Sequence, residues 1–213
     1  MSAWLDISFP LFNGLPPWPG DKPFRRETLS EAGVNGSLCT VSEISMNAHT
    51  GTHVDAPKHF VPGGQAVDQI DLDTLIGPAF VLDLTCVSTH ITVGDLRGRV
   101  PEGVARLLIK TRNSRYAGDG RFHTDYLALT GEAAGYLAVS GVKLLGIDYY
   151  SIAPFDAPAS SHRTFLSAPG AVALENIDLS RAEEGWVDLV CLPINITGGD
   201  GAPARVLIRK REG

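Results

Sequence analysis

Short apolar runs recur along the chain at Leu5–Phe9, Val41–Met46, Phe80–Leu84, Leu107–Lys110, Leu144–Ile147, Val187–Ile196 and Val206–Ile208. Each is bounded by Gly, Pro, Asp or Asn, and runs of this length between turn residues read as strands. The 14 Pro and 23 Gly, concentrated in stretches such as GLPPWPGDKPF and TGGDGAPAR, require tight turns and rigid loops between them. Helical signals are fewer. Thr130 can cap a segment with Glu132 in its first turn and apolar Ala133, Tyr136 and Leu137 before Gly141 stops it, and that segment leads into the run KLLGID. Thr92 and Asp95 have the spacing of a capping box for a second, shorter helix. The expected fold is therefore mixed α/β, a strand-rich, barrel-like or swivelling β/β/α sheet with few helices.

A chain of 213 residues with 44% hydrophobic side chains has enough material for one core, and no Ser/Gly-rich tract or charge block marks a linker. A single domain over residues 1–213 is expected. The formal net charge of -6 argues against nucleic acid as a partner, because phosphate contact needs a clustered basic face. The one dense basic stretch, Arg205–Arg211, reads as a tail. The start, MSAWLDISFP, lacks the basic residues and apolar stretch of a signal peptide, and no apolar run reaches the ~18 residues of a membrane span. Cys39, Cys86 and Cys191 are odd in number and far apart, which suits buried, inert thiols in a reducing compartment. A cytoplasmic protein with no membrane partner is expected.

The chemistry concentrates in NAHTGTHVDAPKHF. His49, His53 and His59 fall within eleven residues, where an even spread of the six His would place about 0.3. Together with Asp55 they occupy odd positions only, so an extended backbone would turn all four side chains to one face. Gly51 and Pro57 oppose a continuous helix. Imidazole and carboxylate donors suit Zn²⁺, Mn²⁺ or Fe²⁺, and catalytic sites commonly use three protein ligands with an open position. His49, His53 and Asp55 supply such a set. The alternative is a cluster of loop histidines sharing Asp55 as hydrogen-bond acceptor.

The run HTGTHVDAPKHF resembles the HxGTHxDxPxHF signature of the cyclase family of metal-dependent hydrolases, which includes bacterial kynurenine formamidases and isatin hydrolases. Similar stretches continue at DISFPLFNGLPPWPGD, at GIDYYSIAP with the following His162, at LENIDL around Glu175 and at LPINITGGDGAPAR. Length and the Trp of PPWPGD resemble the kynurenine formamidases more closely than the longer isatin hydrolases. The resemblance implies two divalent metal ions per subunit, zinc first and manganese as the alternative. His49, His53 and Asp55 would bind one ion, and Asp55 would bridge to a second completed by His162 and Glu175. His59 would donate and accept the proton, and Trp18 would line the substrate pocket. The family often forms dimers, so a homodimer is expected. The sequence departs from the formamidase pattern at Thr52, where Ala is common, and at Phe60, where Tyr is common.

The implied reaction is hydrolysis of a small-molecule amide, an N-formyl arylamine such as N-formyl-L-kynurenine, to formate and the free amine. The rivals are another cyclase-family substrate, such as isatin, a cyclic imide or lactam, or a carbamate, and a module that binds metal or ligand without turnover. Taken alone, His162 reads as a loop histidine and Glu175 as a surface carboxylate. His90 and His123 show no nearby partner and read as structural, and Asp83, Asp148 and Asp156 read as turn-capping. The GGDG turn around Asp200 lacks the Lys-Ser/Thr ending of a phosphate loop and reads as a connection between strands, with the pocket near it.

Overall fold

The computed structural model describes residues 4–211. Its strands are β1 (Leu5–Asp6), β2 (Arg25–Ser30), β3 (Val41–Ser45), β4 (His53–Asp55), β5 (Ile76–Asp83), β6 (Arg106–Lys110), β7 (Leu144–Ile147), β8 (Val172–Glu175), β9 (Gly185–Pro193) and β10 (Gly201–Lys210). Seven of them close a barrel in the order β10, β4, β8, β7, β6, β5, β9 and back to β10. β1 pairs along β10 outside this ring, and β2 with β3 forms a separate hairpin. The steps from β5 to β6, β7 and β8 are parallel, and those at β4, β9 and β10 are antiparallel. Parallel neighbours need crossover connections. Helices α2 (Val93–Leu96), α3 (Gly131–Val139) and α4 (Pro158–Leu166) occur one in each of these three crossovers, and the short α1 (Leu72–Leu75) precedes β5. The fold is thus mixed α/β, strand-rich and barrel-like, as the apolar runs indicate.

Period-two alternation divides the core into two layers. Val54, Val81, Leu108, Leu144, Val172, Leu174, Leu189, Val206 and Ile208 belong to the cluster that fills the barrel. Leu82, Leu107, Ile109, Leu145 and Ala173 pack outward with Ala133, Leu137, Phe165 and Leu166 of α3 and α4. The barrel is filled by side chains, so a ligand site must lie on its outer side or at its rim.

The two helices expected from capping signals are present. The Thr130 side chain accepts from Ala133 N at 3.2 Å, and Thr92 and Asp95 form the reciprocal box of α2. Other expectations are corrected. Arg205–Arg211 is no tail, because residues to Lys210 belong to β10, between β1 and β9. Its alternate positions Val206 and Ile208 enter the barrel, while the outward Arg205 and Arg209 pair with Asp6 and Asp188 at 2.7 and 2.8 Å. Strand β2 (RRETLS) has no apolar run to announce it, and its residues are exposed apart from the partly buried Ser30. Of the three thiols only Cys191 is buried, its pKa pushed up to about 12 by desolvation, and Cys39 and Cys86 are exposed. No helix among the described residues is long and apolar enough to cross a membrane.

Candidate metal centre

The alternation that sends Val54 into the barrel turns His53 and Asp55 to its outer face, and both are fully buried there. Register then supplies the next donor. His53 lies directly across from Glu175 on the antiparallel neighbour β8, and Asp55 lies across from Gly201 on β10. On β8, Ala173 packs toward the helices, so Glu175, two residues on, takes the same outer face. Asn176, the next residue, has the left-handed φ of 56° that Asn tolerates, and its N–H donates to Tyr149 O at 2.6 Å. Helix α4 covers this face and presents His162. His59 ends the short 3₁₀ helix Pro57–His59 directly after β4.

Distances join these side chains into one cluster. His53 Nε2 is 3.2 Å from Asp55 Oδ1 and 3.4 Å from Glu175 Oε2. His162 Nε2 is 2.9 Å from Glu175 Oε1 and 3.4 Å from Asp55 Oδ2. His49 Nδ1 is 2.7 Å from Asp55 Oδ1, and its ring stacks on His59 at 3.9 Å. The outer nitrogens are engaged too. His53 Nδ1 donates to Gly51 O at 2.8 Å and His162 Nδ1 to Pro158 O at 2.6 Å, which turns both Nε2 atoms inward. Gly51 needs its lack of a side chain: at φ 67° an added Cβ would sit 2.5 Å from Leu11.

Two carboxylates and three imidazoles in so small a buried volume perturb one another. Burial lowers the pKa of His53 and His162, but hydrogen bonds and charge from Asp55 and Glu175 outweigh it and raise both to about 10. Burial likewise opposes the rise at His49, which Asp55 causes. The Asp55 carboxyl is held well below its ordinary range, since the neighbouring histidines outweigh its desolvation, and Glu175 is lowered for the same reason. His59 goes the other way: burial is the largest influence and lowers it, favouring the neutral ring.

The donor set fits divalent cations. Asp55 Oδ2 is buried without a hydrogen-bond donor, an arrangement that costs free energy unless a cation faces it. Ligand atoms of His49, Asp55 and His59, and separately of His53, Asp55 and Glu175, lie within 4.8 Å of one another. Asp55 is common to both groups. Hard oxygen and imidazole donors of this kind suit zinc, manganese or iron.

A pocket of about 360 Å³ opens onto the cluster, and Trp18, Phe60, Tyr150, Asp21 and Asn47 share its wall. Trp18 packs edge-on against Phe122 at 5.3 Å and tilted on Phe155 at 5.4 Å, so an aromatic scaffold holds it. All seven residues singled out from the sequence, Trp18, His49, His53, Asp55, His59, His162 and Glu175, meet here. The extended chain expected for residues 49–59 is restricted to β4, with a turn before it and a 3₁₀ helix after it. His162 is on a helix and Glu175 in a buried strand, not on a loop and the surface. Thr52 lies outside the pocket wall, accepting from Phe9 N and donating to Asn176 O, whereas Phe60 stacks on His162 at 4.3 Å.

Asp200 joins the site: its Oδ2 is 2.9 Å from His49 Nε2. An acidic residue in a turn that glycine makes free to approach other backbone is the signal available in the sequence. Asp148 caps across the sheet rather than within its own turn, accepting from Thr111 and Ser114 through both backbone and hydroxyl. His123 has a partner after all, Asp119 four residues before it at 2.5 Å.

Fold and donor set together define a metal-dependent hydrolase, and the chain belongs to the cyclase family. Residues 5–154 match that family's model, described as "Putative cyclase". The kynurenine formamidase of Bacillus cytotoxicus is 36% identical over 98% of each chain, and that of Bacillus mycoides is equally similar. Among solved structures, a potential metal-dependent hydrolase with cyclase activity superposes with a TM-score of 0.87 at 33% identity, covering 100% of both chains. Isatin hydrolase A from Labrenzia aggregata gives 0.78 at 25% identity, covering 99% of this chain and 94% of its own.

Proposed function

We propose that the chain is an arylformamidase, hydrolysing N-formyl-L-kynurenine to L-kynurenine and formate. The observation that carries this reading is the meeting of an aromatic wall, Trp18, with the buried carboxylate and imidazole cluster, in a chain similar to formamidases over nearly its whole length. His49, His53 and Asp55 would hold one ion and Asp55, His162 and Glu175 a second, zinc in both. Such ions supply Lewis acidity toward the amide oxygen and lower the pKa of water to about 7.

The chain's own residues do the rest. Trp18 stacks on the aryl ring and brings the formyl group over the cluster. His59, neutral because burial lowers its pKa, accepts a proton as water adds to the formyl carbon. It returns that proton to the nitrogen as the C–N bond breaks, releasing the amine and leaving formate. Phe60 packs edge-on against His59 at 4.4 Å and limits water around the ring.

The test is the His59→Ala variant alongside the unmodified protein, assayed with N-formylkynurenine, substituted formanilides and isatin. The variant should keep its metal by elemental analysis and lose about 10²–10⁴-fold in turnover, most severely with electron-rich anilides, whose departure needs a proton. Loss of an ion with an equal defect on every anilide would make His59 a ligand. Turnover of isatin but of no formanilide by the unmodified protein would move the substrate class to cyclic amides.

A further inference from the structure

Resting on the metal-hydrolase reading above, the geometry points to Asp200 as a positioning residue that orients two histidines of the centre at once. Its Oδ2 is 2.9 Å from His49 Nε2 and 3.4 Å from His59 Nδ1. The two rings are stacked at 3.9 Å with 26° between their planes, so both edges reach the same carboxylate oxygen. His49 turns its other nitrogen to Asp55 at 2.7 Å. A histidine with its inner nitrogen on the metal side and its outer N–H on a carboxylate is fixed in tautomer and ring orientation. His53 and His162 obtain this from the carbonyls of Gly51 and Pro158, and Asp200 is the counterpart for His49. For His59 the contact is longer, and a carboxylate 3.4 Å from Nδ1 favours the hydrogen on that nitrogen, leaving Nε2 as the basic nitrogen that takes the proton from water.

The turn is built to hold this carboxylate. Asp200 O accepts from Ala56 N at 3.0 Å, next to Asp55, and Gly199 O accepts from Val67 N at 2.9 Å. Gly198 N donates to Asp68 Oδ1 at 3.0 Å, and Lys58 Nζ donates back to Gly198 O at 2.6 Å. The turn is thereby tied to the segment that carries His59. Gly201 admits the backbone beside His49, where an added Cβ would stand 2.6 Å from the ring. The Asp200 side chain is 47% exposed, so substitutions there do not open the core.

The experiment compares the unmodified protein with Asp200→Asn, which keeps the shape and one acceptor oxygen but loses the negative charge, and Asp200→Ala, which loses both. Zinc affinity is measured by competition with a chelator, and the ring nitrogens of the histidines are observed by ¹⁵N NMR of the zinc-loaded protein. Turnover of substituted formanilides is followed at saturating zinc. Affinity should fall about 10–100-fold, more for Ala than for Asn. The His59 signals should change from one Nδ1-protonated tautomer to a mixture, and the residual rate defect should be larger for electron-rich anilides. Unchanged zinc affinity with unchanged ring signals in both variants, each folded by circular dichroism, overturns the proposal. If the unmodified protein cleaves no formanilide, the substrate reading fails by itself, and affinity and NMR still decide the role of Asp200.

Discussion

Loading the centre with zinc should expel protons, and their number follows from the cluster. With pKa values raised to about 10, His53 and His162 both carry an extra proton at pH 7.5 in protein stripped of metal. A ligating imidazole must be neutral, so each must give up that proton. At pH 7.5 this removal opposes zinc binding, and the opposition weakens with each unit that pH moves toward the raised pKa values. Zinc affinity should therefore rise about 100-fold from pH 7.5 to 8.5, tenfold for each of the two protons. The same sign governs the stripped protein: the raised pKa values stabilise it fully below the ordinary imidazole value of about 6.5, and this contribution is lost as pH rises through about 10. The assay is calorimetric titration of zinc into chelator-treated protein, in buffers of different ionisation enthalpy. The dependence of observed heat on buffer gives the protons released, expected to be at least two. No proton release at pH 7.5, with affinity flat to pH 8.5, would refute the reasoning.

Asp55→Asn should weaken metal binding by more than about 100-fold, more than loss of any one histidine, because this carboxylate faces three imidazoles; full occupancy by elemental analysis would remove its bridging role. Trp18→Ala should raise the Michaelis constant of aryl formamides about 2–13-fold while sparing small amides, and equal effects on both would make it a scaffold aromatic. Asp148→Asn presents an amide NH₂ to donors from Thr111 and Ser114 and should cost about 2–4 kcal/mol of stability, read from the denaturant midpoint. A shift below the error of that measurement would show that the cap is dispensable.

His49, His53 and Asp55 are legible because they are neighbours in sequence, and local spacing is enough to place donors on β4 and the turn before it. His162 and Glu175 are brought in by the β7–α4–β8 crossover, a long-range pairing that no window of sequence contains, so only the family resemblance identifies them. The helix bearing His162 escapes notice because PASSHRTFL is largely polar; its buried side is Ser161, His162, Phe165 and Leu166, and one of those four is itself a site residue. Strands β5, β6, β7 and β9 announce themselves by apolar runs. The three residues of β4 do not, because two of the three serve the site rather than the core. Asp200 was hidden for a related reason: in a glycine-rich turn an acidic residue looks like an ordinary turn former until the register of β10 against β4 brings it to His49.

The closure of the barrel by β10 has a consequence for how the protein is made. β4 comes early in the chain and β9 late, and neither completes its hydrogen bonding until residues 201–210 have left the ribosome. Through most of synthesis β4 therefore offers a bare edge, a feature that invites association between nascent chains. Closure joins segments about 150 residues apart, a late and slow step by the logic of loop entropy. Asp200, the residue directly before β10, reaches His49 only in that final step. Metal offered earlier would meet β4 donors without their complete surroundings, so capture of the ion in its finished coordination follows the docking of β10 onto β4.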